Sequence, residues 1–98
     1  MTDKIYGMIG LSRKSGSLVL GFDLVEEQIK KKKLHLVIFT SDSSEKGRNH
    51  LIQLCDAYEV KYLEHGSKQE LGKILNKLEV SFVGIRDKNM AGYIIKHD

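Results

Sequence analysis

The sequence predicts an α/β protein, a three-layer α/β/α sandwich around a four-stranded mixed sheet. Three observations carry this expectation. Short apolar strand-like runs alternate with segments whose apolar residues recur at three- and four-residue steps, a pattern that places helices on both faces of a sheet. Proline is absent, so no proline-rich hinge divides the chain. The 98 residues suffice for one domain and are too few for two, so residues 1–98 are read as one unit.

From Thr2 to Lys14 the residues Ile5, Met8, Ile9 and Leu11 follow helical spacing, and Ser15-Gly16 closes the segment. Ser17 to Leu20 is a short strand ended by Gly21. A second helix is expected from about Leu24 to Lys32, with Asp23 as its capping carboxylate and Glu26 in the first turn. Its end carries Lys30, Lys31, Lys32 and Lys33, cations placed where the helix dipole is negative, which explains the run without any ligand.

Leu34 to Thr40 is the strongest strand and is expected in the middle of the sheet, because nearly continuous apolar character suits a strand covered on both faces. Ser41-Asp42-Ser43-Ser44 then supplies capping residues for a third helix, Ser44 to Tyr58, with Leu51, Leu54, Cys55 and Tyr58 on its stripe. Val60 to Glu64 reads as a strand. Ser67-Lys68-Gln69-Glu70 is a capping box ahead of Leu71, Ile74, Leu75 and Leu78. Val80 to Ile85 is the last strand, and Asp87 caps a final helix bearing Met90, Ile94 and Ile95.

Composition narrows the function classes. Hydrophobic residues make up 41% and charged residues 30%, an ordinary globular balance. The longest apolar run, Leu34 to Phe39, is interrupted by His35 and falls far short of the roughly 20 residues that cross a bilayer. The start Met-Thr-Asp-Lys-Ile-Tyr lacks the pattern of a secretory signal, so the expected compartment is the cytoplasm. Cys55 is the only cysteine, which excludes an internal disulfide and a multi-cysteine zinc site. Sixteen Lys and Arg against 13 Asp and Glu give a net charge of +3, a modest lean towards polyanions.

Catalytic arrangements find little support in the sequence. Gly16 to Gly21 has the glycine spacing of a phosphate loop, but Phe22-Asp23 stands where that motif needs Lys followed by Ser or Thr. His35, His50, His65 and His97 form no pair at metal-ligand spacing, and Cys55 reads as a small core residue. Asp42 and Asp87 follow strong strands, where catalytic carboxylates often sit, yet helix capping accounts for both. No enzyme, cofactor or metal is expected.

Several stretches in order resemble a known family. They are Lys14-Ser-Gly-Ser-Leu-Val-Leu-Gly-Phe-Asp-Leu-Val, Leu34 to Thr40 with Ser41-Asp42-Ser43-Ser44 after it, Cys55 to Tyr58, and Gln69-Glu-Leu-Gly-Lys-Ile. The chain resembles the bacterial YlxQ-like branch of the ribosomal L-seven-Ae and L-thirty-e family of kink-turn RNA binders, from about Ile9 to Ile85. The resemblance implies the α/β/α sandwich, no enzymatic activity, and a structured RNA partner, kink-turn or ribosomal, with the ribosome among the expected partners. Neither DNA nor a membrane is expected as a partner.

By the same resemblance, RNA is held by the junction of the first strand and second helix and by the loop before the last strand. At the junction these are Gly21, Phe22, Asp23, Leu24 and Glu27, with Lys30 further along; in the loop, Lys77, Leu78, Glu79 and Val80; and nearby Arg13 and Lys14. Gly21 lets an RNA backbone approach, and free N–H groups at a helix start can meet phosphate or base oxygens. Leu78 and Val80 are candidates to lie on unstacked bases, with burial the alternative for Leu78. The family motif has glycine, any residue, asparagine, glutamate, then a cation three residues on. This chain keeps Gly21 but carries Asp23, Leu24 and Glu27 at the other places. Those changes remove an amide donor and a guanine acceptor and add negative charge, leaving Lys30 to Lys33, Arg13 and Lys14 to compensate if they share that surface.

Overall fold

The computed structural model describes residues 3–98, so the helix start expected at Thr2 lies outside the described residues. Nine elements follow in the order α1 Lys4–Lys14, β1 Leu18–Leu20, α2 Phe22–Lys30, β2 Leu36–Phe39, α3 Glu45–Tyr58, β3 Lys61–Glu64, α4 Lys68–Ile74, β4 Phe82–Ile85 and α5 Lys88–Lys96. The strands lie side by side as β1-β4-β2-β3. β2 and β3 are parallel, while β4 is antiparallel to both β1 and β2. The sheet is therefore mixed, with its last strand inserted between the first two.

Every residue of β2 and β4 is buried, which is why these two apolar strands take the interior positions. Alternation along β2 divides the core. Leu36 and Ile38 face Ile5 and Ile9 of α1, Leu71 of α4 and Ile94 of α5. Val37 and Phe39 face Val25 and Ile29 of α2 and Leu51 and Cys55 of α3. Three helices thus cover one face and two the other. Truncating any of these aliphatic side chains to alanine removes about 2–5 kcal/mol. Cys55 is fully buried on the stripe of α3, and burial pushes its thiol pKa up to about 12.

Helix starts show where local sequence governs. Asp3, Ser44, Ser67 and Asp87 each accept a hydrogen bond from the first turn of the helix they precede, and Ser67 with Glu70 forms the full capping box. Two expected helix bounds are corrected. Asp23 does not cap α2, because Gly21 is the cap residue and Asp23 lies inside the first turn. The apolar stripe of α4 does not reach Leu78, because the helix ends at Ile74 with Leu75 as its cap and the chain turns back.

That return is tight. The Lys77 N–H donates to the Gly72 carbonyl at 2.8 Å and the Val80 N–H to the Lys68 carbonyl at 3.0 Å, laying residues 77–80 along α4. A side chain at Gly72 would put its Cβ 2.6 Å from the Leu78 carbonyl oxygen, so glycine is required by close approach. Asp42 also has a different role from the expected one. Its carboxylate accepts from the Lys68 N–H at 2.9 Å, tying the β2–α3 loop to the start of α4, and this bond holds its pKa below the ordinary value.

Candidate nucleic-acid interface

The sheet has two ends, and the starts of α2, α3 and α4 gather at one of them. There the Gly21 N–H donates to the Phe82 carbonyl at 2.9 Å, and the Thr40 N–H to the Ser81 carbonyl at 3.0 Å. These bonds draw the β1–α2 junction, the β2–α3 loop and the loop before β4 into one row. Leu20, Gly21, Phe22, Lys77, Glu79 and Phe82 line a shared groove, together with Val80 and Ser81.

Gly21 holds the groove open. Its φ of 93° and ψ of 158° lie in a region that strains any residue with a Cβ. No side chain caps α2, in contrast to the other four helices among the described residues. The first N–H groups of a helix have no intrahelical partner, so the start of α2 offers donors beside the groove.

Phe22 turns its ring to the other side of the junction. It lies 5.8 Å from Phe82 edge-to-face and 5.6 Å from the His50 ring, forming an aromatic wall between α2 and α3. Glu26 meets His50 there in a short contact. Neither Phe82 nor His50 is distinguishable from sequence as part of this end. Their approach follows from the pairing of β4 with β1 and β2, which joins residues more than 40 positions apart.

The residues singled out from sequence are distributed as follows. Asp23, Leu24 and Glu27 are exposed on the first turns of α2. Glu27 is paired with Lys31 at 3.3 Å and Glu26 lies 3.9 Å from Lys30, so part of the acidity is offset within the helix. Both pairs are half-exposed and each adds only a few tenths of a kcal/mol, about 0.3–0.5. Leu78 is 93% exposed, whereas Val80 is 8% exposed and packs in the core. Leu78 can therefore meet a base and the Val80 side chain cannot.

Arg13 and Lys14 line a different cleft, between α1 and the end of α4, with Ile74 and Asn76. The Arg13 guanidinium donates to the Leu75 carbonyl at 2.7 Å, and so serves as an anchor for the end of α4. Lys30 ends α2, and Lys32 and Lys33 follow it to the far end of the sheet. The lysine run therefore does not share the Gly21 groove.

Among the described residues, no cluster of three or more His, Cys, Asp or Glu is placed to hold a metal ion, and no helix is long and apolar enough to cross a membrane. His65 pairs with Asp3 at 2.8 Å, and His97 bonds the Tyr93 carbonyl at 2.9 Å. For Asp3, burial opposes ionisation, but the Tyr6 N–H and the His65 ring outweigh it and hold the carboxyl below its ordinary pKa.

The fold is a small mixed-sheet α/β/α sandwich with an uncapped, glycine-led helix beside the loop before its last strand. Residues 3–93 match the family model described as Ribosomal protein L7Ae/L30e/S12e/Gadd45 family, and the chain belongs to that family as a YlxQ-like member. It is 28% identical over 90 residues to the RNA-binding protein YlxQ of Bacillus subtilis (strain 168), covering 92% of this chain and 90% of that one. It is 30% identical over 88 residues to the RNA-binding protein YlxQ of Enterococcus faecium, covering 90% and 84%. Among solved structures, a protein of unknown function from Bacillus halodurans C superposes with a TM-score of 0.93 at 23% identity, over 98% of this chain and 97% of that one. The Giardia lamblia 15.5kD RNA binding protein superposes with a TM-score of 0.80 at 18% identity, over 99% and 87%. The last two likenesses concern the fold.

Proposed function

We propose that residues 1–98 form one non-enzymatic RNA-binding domain that grips structured RNA, of kink-turn or ribosomal type, at the Gly21 end of the sheet. The observation that carries this reading is the single groove formed by Gly21 and Phe22 with Lys77, Glu79 and Phe82, next to a helix start whose N–H groups no side chain caps. Membership of a family that includes RNA-binding relatives supports it. Exposed Leu78 provides an apolar surface for an unstacked base, Lys77 provides charge, and Gly21 admits the backbone.

The mode of binding is set by what the junction lacks. Asp23, Leu24 and Glu27 do not supply the donor, acceptor and cation of the family motif, so affinity comes mainly from phosphate contacts. Titration of a kink-turn RNA against the purified protein between about 50 and 200 mM salt should give a log–log slope of about −0.7 to −0.9 per phosphate neutralised. Affinity indifferent to salt sinks the reading. RNA that co-purifies in low salt without nuclease would identify the natural partner.

A second reading has one specific observation behind it. Leu24 and Leu78 are exposed apolar side chains at the acidic end, 50% and 93% accessible, which suits a protein partner with a basic rim. On that reading the scaffold is a protein-interaction module, and RNA binding at the groove is absent at every salt concentration.

A further inference from the structure

At the end of the sheet remote from Gly21, three strands present their termini in a row. The Arg86 N–H donates to the Ser17 carbonyl and the His35 N–H to the Ile85 carbonyl, each at 2.8 Å. These bonds place Arg86 beside the stretch that follows α2, and Lys32, Lys33, His35 and Arg86 line one open cleft with Gly16 and Asp87.

The cations of this cleft differ from the rest of the lysine run. Lys30 and Lys31 belong to α2 and its cap, and both approach glutamates one turn earlier. The helix dipole accounts for them. Lys32 and Lys33 lie past the cap, and neither they nor Arg86 has an ion-pair partner among the described residues. Lys32 is held at a φ of 58°, and the Lys33 N–H closes the turn on the Gln28 carbonyl at 3.0 Å. The turn thus fixes Lys32 in a backbone conformation that lysine does not favour, with Lys33 exposed beside it. Arg86 arrives from a strand more than 50 positions away in sequence, so no feature of α2 explains its presence. The one carboxylate of the cleft, Asp87, is turned to cap α5 by accepting from the Met90 N–H at 2.9 Å.

From Ser81 to Arg86 an extended chain spans about 17 Å, too far for side chains at one end to serve a phosphate at the other. We propose that Lys32, Lys33 and Arg86 form a second RNA-backbone contact, which holds phosphates of a flanking duplex while the Gly21 end meets the bend. The proposal rests on the RNA-binding reading and locates the missing cations of that reading at the opposite end of the sheet. Duplex RNA suits the cleft because its cations are exposed and unpaired, with no aromatic side chain lining it apart from His35.

The test compares a kink-turn RNA carrying a flanking duplex of ~16 base pairs with the same bend cut to minimal stems. The variant combines Lys32→Asn, Lys33→Gln and Arg86→Gln; asparagine is chosen because it tolerates positive φ. The variant should bind the long RNA about tenfold or more weakly, with a salt slope smaller by about 2, and the minimal RNA as the parent does. In the parent, the long RNA should protect Lys32 and Lys33 from acetylation, a measurement that does not depend on the variant folding. Equal affinity and slope on the long RNA, without protection of these lysines, overturn the second contact, while parental binding to the minimal RNA keeps the Gly21 reading. Equal loss on both RNAs overturns it as well, since the cations then serve the bend itself. Protection by polyglutamate and none by RNA would assign the cleft to an acidic protein segment. If the parent binds neither RNA, both readings fall.

Discussion

At one end of the sheet Gly21, Phe22, Lys77 and Glu79 share a groove, with Asp23, Leu24 and Glu27 exposed beside it. At the other, Lys32, Lys33 and Arg86 share a cleft whose single carboxylate is engaged as a helix cap. The first end has the shape and the free backbone donors for RNA but an acidic rim. The second has the charge but little shape. Open backbone geometry and positive charge thus lie at opposite ends of the sheet, separated by the length of a strand. On the proposed function, a mainly electrostatic affinity follows from such a division.

Collapse of the groove is expected to have the largest effect. Gly72→Val places a side chain against the Leu78 carbonyl and displaces residues 77–80, which form one wall of the Gly21 groove. Urea unfolding should show a loss of about 3 kcal/mol. An unchanged midpoint would mean that the return along α4 is loose and that the groove is not held by it.

A smaller effect, in the opposite direction, comes from giving the acidic end the family's polar groups. Asp23→Asn with Leu24→Glu and Glu27→Lys replaces a repulsion by an attraction and should tighten kink-turn binding by about tenfold or more, about 1.4 kcal/mol. These positions are exposed on the first turns of α2, so folding should change by no more than about 1 kcal/mol. A folded triple variant that binds no better than its parent would show that RNA is held elsewhere, and would bring the protein-partner reading forward.

The smallest expected effect distinguishes the ends by pH. Asp3 and Asp42, both at the Gly21 end, have carboxyls held below the ordinary value of 3.8. A depressed carboxylate pKa contributes stability above the unfolded value, and that contribution is lost as pH falls through the folded value. Below about pH 3.8, amide exchange relative to the unfolded chain should therefore quicken at Tyr6 and Lys68, whose N–H groups donate to these carboxylates. Exchange at the Arg86 N–H, which donates to the Ser17 carbonyl, should respond less. Uniform acceleration along the chain would mean that the two ends open as one unit.

How legible each element was depends on how local its cause is. The capping boxes and stripes were readable because side chain and partner lie within four residues, as with Ser44 and Gly47 or Ser67 and Glu70. Asp23 misled for the same reason. Its local propensity to cap is real, but the Gly21 N–H is bound to Phe82 across the sheet, and that tertiary bond moves the helix start back to Phe22. Leu78 continues the apolar spacing of α4, yet the close approach at Gly72 ends the helix and sends Leu78 into solvent.

Sequence by itself determined the succession of helices and strands, the burial of Leu36–Phe39 and Phe82–Ile85, and the glycine at the junction. These follow from periodicity and side-chain chemistry over a few residues. Tertiary structure alone decided that β4 enters between β1 and β2, that residues 77–82 therefore meet Gly21, and that Arg86 joins Lys32 and Lys33 at the far end. Such choices rest on hydrogen bonds between residues tens of positions apart, where no local preference operates and the free energy of the whole sheet selects the pairing.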